Sequence, residues 1–151
     1  YLLKVTEVDA APEVELVHRK LRLTVRPGTS EEKRGAIIDA WYREQLRQAV
    51  PAIIARWEPV LGVKVARFFV QRMKTKWGSC SGGVGSIRLN TDLAKKPPEC
   101  LEYIVVHEMV HLLEPTHNDR FVALMNQFMP KWQHCRQVLN RLPVRHETWG
   151  Y

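Results

Sequence analysis

The stretch His107-Glu108-Met109-Val110-His111 restricts this chain more than any other, because its side chains are useful together only on a helix. Helical residues four apart lie about 40° apart around the axis, so the two imidazoles can reach one ion. Glu108 flanks the pair. A carboxylate beside two neutral imidazoles is the set that hydrolysis by zinc-activated water requires: ligands that leave the ion Lewis-acidic, and a base for the water's proton. At about 100° per residue from His107, the side chains of Val105, Val106, Met109, Val110, Leu112 and Leu113 fall on the opposite arc. This predicts a helix whose metal face and core face are separate.

Catalytic zinc sites take three protein ligands and leave a position open. His117, six residues after His111, can supply the third across a reversal at Glu114-Pro115-Thr116. Glu114 is the competing ligand, and Asp119 and Glu102 are candidates to hold an imidazole tautomer. His18, His134 and His146 have no spacing relation to the motif.

A length of 151 residues suits one domain. Residues 1–60 read as N-terminal strands and a long helix, and residues 61–142 as the catalytic core. The net charge of +7 favours polyanionic partners. The basic residues are scattered, without a long run or interleaved aromatics, and read first as a solvated surface, with nucleic acid as the other reading. Cys80, Cys100 and Cys135 cannot all pair with one another and show no CxxC spacing, which points to a reducing compartment, the cytoplasm. No apolar run approaches the roughly 18 residues of a membrane span, and Tyr1-Leu2-Leu3-Lys4 does not open a signal peptide. Oligomeric state is not legible.

Alternating apolar residues at 2–5, 14–17 and 20–25 predict a small antiparallel sheet. Ser30 reads as the N-cap of a long helix reaching Pro51, with Ile53, Ile54 and Trp57 extending it beyond a kink. Leu61-Gly62 ends it. Val63 to Met73 and Val84 to Asn90 read as two paired strands, separated by the glycine-rich Thr75 to Gly83, which lacks the residue order of a phosphate loop. Pro97-Pro98-Glu99 opens the metal helix, expected from about Pro98 to Leu113 and stopped by Pro115. Helices over Asn118 to Met129 and Trp132 to Leu142 complete the reading. The fold class is α+β, a small antiparallel or mixed sheet packed on helices beside the HExxH helix.

Several blocks in order, Lys76-Trp77-Gly78-Ser79-Cys80-Ser81, Ile87-Arg88-Leu89-Asn90, Pro97-Pro98, Tyr103 to Leu112, then His117, Phe121 and Met129-Pro130, resemble the YgjP-like metallopeptidase domain, a relative of the SprT-like zinc proteases. The resemblance runs from about Met73 to Leu142. It implies a minimal zincin of the gluzincin neighbourhood, one zinc ion per chain, His107, His111 and His117 as ligands and Glu108 as general base. Thr116, Asn118 and Val122 depart from the family's usual Asn, Ser and aromatic residue. Metzincins share the histidine spacing but place a glycine where Glu114 stands. A peptide deformylase would take an upstream cysteine, here Cys80, as its third ligand.

The expected reaction is amide hydrolysis of a peptide or protein substrate, held by strand addition if the strand ending at Asn90 forms a sheet edge, with Lys76 to Ser81 near one end of the cleft. Arg88, Asn90, Tyr103 and His134 are candidate oxyanion or substrate contacts. Two alternatives are a DNA-associated protease tethered by its basic surface and a non-enzymatic metal-dependent binding module. Glu108 speaks against the second, since structural zinc sites have four protein ligands and no need of a base.

Overall fold

A computed structural model describes residues 1–141. Leu142, expected to end the last helix, and the tail with His146 lie outside the described residues. The chain divides into two compact units, Tyr1–Gln45 and Leu46–Tyr151, with the division inside one long helix.

The first unit holds β1 (Leu2–Glu7), β2 (Glu13–Val17), β3 (Lys20–Val25) and the start of α1 (Glu31–Leu61). The alternation in β3 has its expected effect: Leu21, Leu23 and Val25 are buried, and Lys20 and Arg22 are exposed. The sheet is mixed rather than antiparallel, in the order β1-β3-β2. His18 and Arg19, both at positive φ, make a two-residue turn that pairs β2 with β3. The chain from β1 to β2 leaves β1 on the far side of β3, so β1 and β3 run parallel, both opposed to β2. At the start of α1, Ser30 Oγ accepts the Lys33 N–H at 3.2 Å, as a cap does.

Helix α1 continues through Pro51 and Pro59 to Leu61. Proline removes one backbone donor, yet the apolar residues on either side of Pro51 hold the helix to its core: Val50, Ile53, Ile54 and Leu61 are all buried. Gly62, at φ +71°, donates its N–H to the Glu58 carbonyl at 2.9 Å and ends the helix in the left-handed conformation that glycine adopts without strain.

The second unit carries β4 (Arg67–Gln71), β5 (Gly78–Ser81) and β6 (Ser86–Asn90) in the order β4-β6-β5. The expected pairing of the 63–73 and 84–90 segments is present as parallel β4 and β6, over a shorter span. The glycine-rich segment between them is not simply a loop. Gly78–Ser81 forms an antiparallel ladder with β6, joined to it by a four-residue turn containing Gly85 at φ +67°. Strand β6 is therefore central, and the strand ending at Asn90 is not a sheet edge; the edges are β4 and β5.

A short 3-10 helix (Thr91–Lys95) leads to α2 (Pro98–Val110), α3 (Asp119–Phe128) and α4 (Trp132–Arg141). Proline opens α2 as expected, but regular helix stops at Val110, with His111 as its C-cap. Leu112 and Leu113 donate to the carbonyls three residues back, a tightened final turn ahead of Pro115. The separate core face is also corrected. Every residue of α2 from Cys100 to Val110 except Glu102 is buried, including His107 and Glu108, which are 2% and 1% exposed. The helix sits in the core, flanked by the sheet, α3 and α4, and His107 and Glu108 are enclosed with it.

Candidate metal centre

The turn after α2 returns His117 to the helix. Nε2 of His117 lies 3.1 Å from Nε2 of His107 and 2.9 Å from Nε2 of His111. One nitrogen from each of the three rings lies within 4.8 Å of the others. Tetrahedral zinc bound at about 2.0–2.1 Å to imidazole nitrogens holds them roughly 3.3 Å apart, so the spacing fits one small ion. His111 Nδ1 donates to the Glu114 carbonyl at 3.0 Å, which leaves Nε2 unprotonated and free to ligate. Burial lowers the proton affinity of all three rings, that of His107 most; the neighbouring imidazoles add to it for His107 and His111, and the Arg136 charge for His107 and His117. Neutral rings at neutral pH are what a metal requires.

Phe121 fills the space behind this cluster. Its ring stacks on His111 at 4.6 Å between centroids and meets His107 and His117 edge-on at 4.8 and 5.0 Å. Asn118 caps α3 by accepting the Phe121 N–H at 3.0 Å, which fixes the phenylalanine beside the ligand turn. Sequence spacing marks Phe121 only as an apolar helical position; its service to the ligands follows from the fold.

Glu114 and Glu102 are occupied elsewhere. The Glu114 carboxylate accepts from Thr116 and Asn118 and faces Arg120, knitting the turn, while its carbonyl orients His111. Glu102 pairs with Arg56 at 2.9 Å and accepts from Trp57. Asp119 stands in the first turn of α3.

A cleft of about 250 Å³ opens onto the cluster. One wall is the β5 region, with Lys76, Gly78, Ser79, Cys80 and Gly82; the other has Glu108, His111, Pro115 and His117. The expected placement of Lys76 to Ser81 beside the cleft agrees with this wall. Cys80 is a free thiol outside the ligand cluster, pushed up to about 11 by burial and by Glu108. Arg88, Asn90, Tyr103 and His134 are absent from the lining. Arg88 lies over the Phe69 ring, and Tyr103 stacks on Trp132 and meets His107 edge-on. Asn90 donates to the carbonyls of Met73 and Lys76 and accepts from Asp92 N–H.

Glu108 completes the centre. Its Oε2 is buried without a hydrogen-bond partner, and burial pushes the carboxyl up to about 8, against a smaller opposing pull from Lys76. Gly78 makes room for it. A Cβ at that position would stand 2.9 Å from Glu108 Oε2, 3.0 Å from the Arg88 carbonyl and 3.0 Å from Ile104 Cγ2. Because the Arg88 carbonyl belongs to the β6 ladder and cannot simply turn aside, Gly78→Ala is expected to destabilise the protein by about 1–3 kcal/mol and to displace Glu108. Urea unfolding and peptidase assays on the variant check both, and wild-type values in both would show that the carboxylate has slack there.

The fold and the three-histidine helix and turn together define a zincin-like α+β protein with a candidate metal site. The chain belongs to the YgjP-like family: the profile of the YgjP-like metallopeptidase domain matches residues 1–142, well beyond the 73–142 blocks legible by resemblance. Its fold is similar to the crystal structure of the metallopeptidase zymogen of Pyrococcus abyssi abylysin, with 20% identity, a TM-score of 0.55, and coverage of 62% of this chain and 94% of that one. The metallopeptidase zymogen of Methanocaldococcus jannaschii jannalysin is similar at 20% identity and a TM-score of 0.53, over 62% of this chain and 97% of that one. No curated protein matches the chain. No helix among the described residues is long and apolar enough to cross a membrane.

Proposed function

We propose that this chain is a zinc-dependent peptidase in which His107, His111 and His117 hold the ion and Glu108 is the general base. The observation that carries this reading is the convergence of three imidazole nitrogens beside a buried, unpartnered carboxylate that lines the same cleft. Three neutral imidazoles suit zinc, and three ligands rather than four leave a position for chemistry. Held by these three histidines, a zinc ion would supply Lewis acidity for a scissile carbonyl and for the attacking water.

Glu108 takes the proton from that water and returns it to the leaving amine. Gly78 keeps its approach clear. Strand β5 forms the cleft wall and is the edge of its sheet, with its ladder to β6 on one side only. An extended peptide added to that edge would be held through its backbone, a sequence-tolerant way to bind protein substrates. The substrate strand is therefore assigned to Gly78–Ser81 and not to the strand that ends at Asn90.

The test is metal content by elemental analysis of the wild type and His117→Ala, beside cleavage of casein. One zinc per wild-type chain, lost or much weakened in the variant, with cleavage by the wild type only, is the expected result. Full zinc content and cleavage in His117→Ala would remove the third ligand from the reading.

A further inference from the structure

Among the described residues Lys76 is the single lysine or arginine in the cleft wall, and Glu108 is the single carboxylate. The lysine is exposed and has no ion-pair partner among the described residues, unlike Arg56 and Lys95, which pair with Glu102 and Asp92. Its backbone is nonetheless fixed. The buried Asn90 side chain donates to the Lys76 carbonyl at 2.8 Å, and the Asn90 N–H donates to the carbonyl of the next residue, Trp77, at 2.9 Å. A buried clamp thus presents an unpaired ammonium two residues before the edge strand β5, close enough to act electrostatically on Glu108.

We infer that Lys76 is a specificity-determining residue, recognising a carboxylate of the peptide bound in the cleft. An ammonium carries three donors and no acceptor, so its fitting partner is an anionic oxygen. A peptide lying along β5 passes it, and its carboxylate is either an Asp or Glu side chain near the scissile bond or the peptide's own C-terminus. No other lysine or arginine is among the described lining residues, so besides the ion held by the histidines Lys76 is the cleft's side-chain partner for an anion. This inference rests on the peptidase reading for its substrate class, but its test does not need turnover.

The experiment measures equilibrium binding of blocked Ala/Leu octapeptides to the zinc-loaded Glu108→Gln protein, with a single Glu, Gln or Lys scanned along the sequence. A neutral octapeptide with a free or an amidated C-terminus is measured in parallel. The expected result is a fivefold to tenfold preference for one carboxylate over its amide, weakened by salt. The preference should be lost in the protein that also carries Lys76→Gln and kept with Lys76→Arg. A preference for Glu over Gln identifies a side-chain carboxylate; a preference for the free terminus identifies the C-terminal one. Equal affinities, no binding of any peptide, or a preference that survives Lys76→Gln would overturn the inference. Casein cleavage by the wild type decides the peptidase reading separately, so the two can fail independently.

Discussion

Glu108→Gln is expected to cut peptide hydrolysis by about 10²–10⁴-fold while metal content stays at the wild-type level. Glutamine preserves the shape of the side chain against Gly78 but cannot accept the water's proton. The same substitution should change how the metal-free protein responds to pH, and the sign is fixed by burial. The Glu108 carboxyl is pushed up to about 8 in the fold from an ordinary 4.5. Between those values the folded chain holds a proton that the unfolded chain has released, so stability falls as pH rises through this window. At about 1.4 kcal/mol per unit, the loss approaches roughly 5 kcal/mol. Glu108→Gln has no such proton, and above the range in which the histidines titrate, from about pH 6.5 to 8, its stability should stay flat. The histidines act on the acid side. Their affinities are lowered by burial, so the unfolded chain binds more protons below about pH 6.5, and the histidine contribution to stability is lost in both proteins as pH falls, opposed in the wild type by the Glu108 proton. Urea titrations of metal-free wild type and variant from pH 5 to 9 check this. A wild-type curve as flat as the variant's above about pH 6.5 would mean that Glu108 is hydrated in the metal-free state.

The two histidines of the helix and the third beyond Pro115 were readable because helical spacing and a proline stop are local rules, and the three rings do meet. The same locality explains what was hidden. Gly78-Ser79-Cys80-Ser81 consists of residues that favour turns or lack strand preference; it becomes a strand because β6 offers it a ladder, a non-local fact. Without β5 the sheet edge falls to the wrong strand, and Lys76, Ser79 and Cys80 have no defined cleft to line. Asn90 shows a related limit. A polar residue at the end of a strand suggests a substrate contact, whereas burial commits its amide to holding Met73, Lys76 and Asp92. The arc of α2 departs from its periodicity for another reason. Periodicity locates polar positions but does not say that the fold will enclose them, and His107 and Glu108 are as buried as the valines opposite. The N-terminal strands were recognised by alternation, but their order depends on the path from β1 to β2, which alternation does not encode.

Phe121→Ala should separate holding the ligands from being one. The ring is 4% exposed and lies within 5.0 Å of all three imidazole centroids. Removing a buried phenylalanine costs about 3–5 kcal/mol, which would show as an earlier urea midpoint. A second effect falls on the metal. His111 is oriented on one side by the Glu114 carbonyl and on the other by its stacking on Phe121. His117 sits on an exposed turn, where the phenylalanine edge limits its ring. With the ring gone, binding must reorder imidazoles that were already in place, and loss of such support typically weakens metal affinity about 10–100-fold. Phe121→Leu distinguishes the two effects, since it refills much of the volume without a flat face: most of the stability should return while the affinity stays reduced. Competition with a chromogenic chelator measures the affinity, and metal-free unfolding measures the core. Wild-type affinity in Phe121→Ala would assign ligand placement to α2 and the Pro115 turn alone.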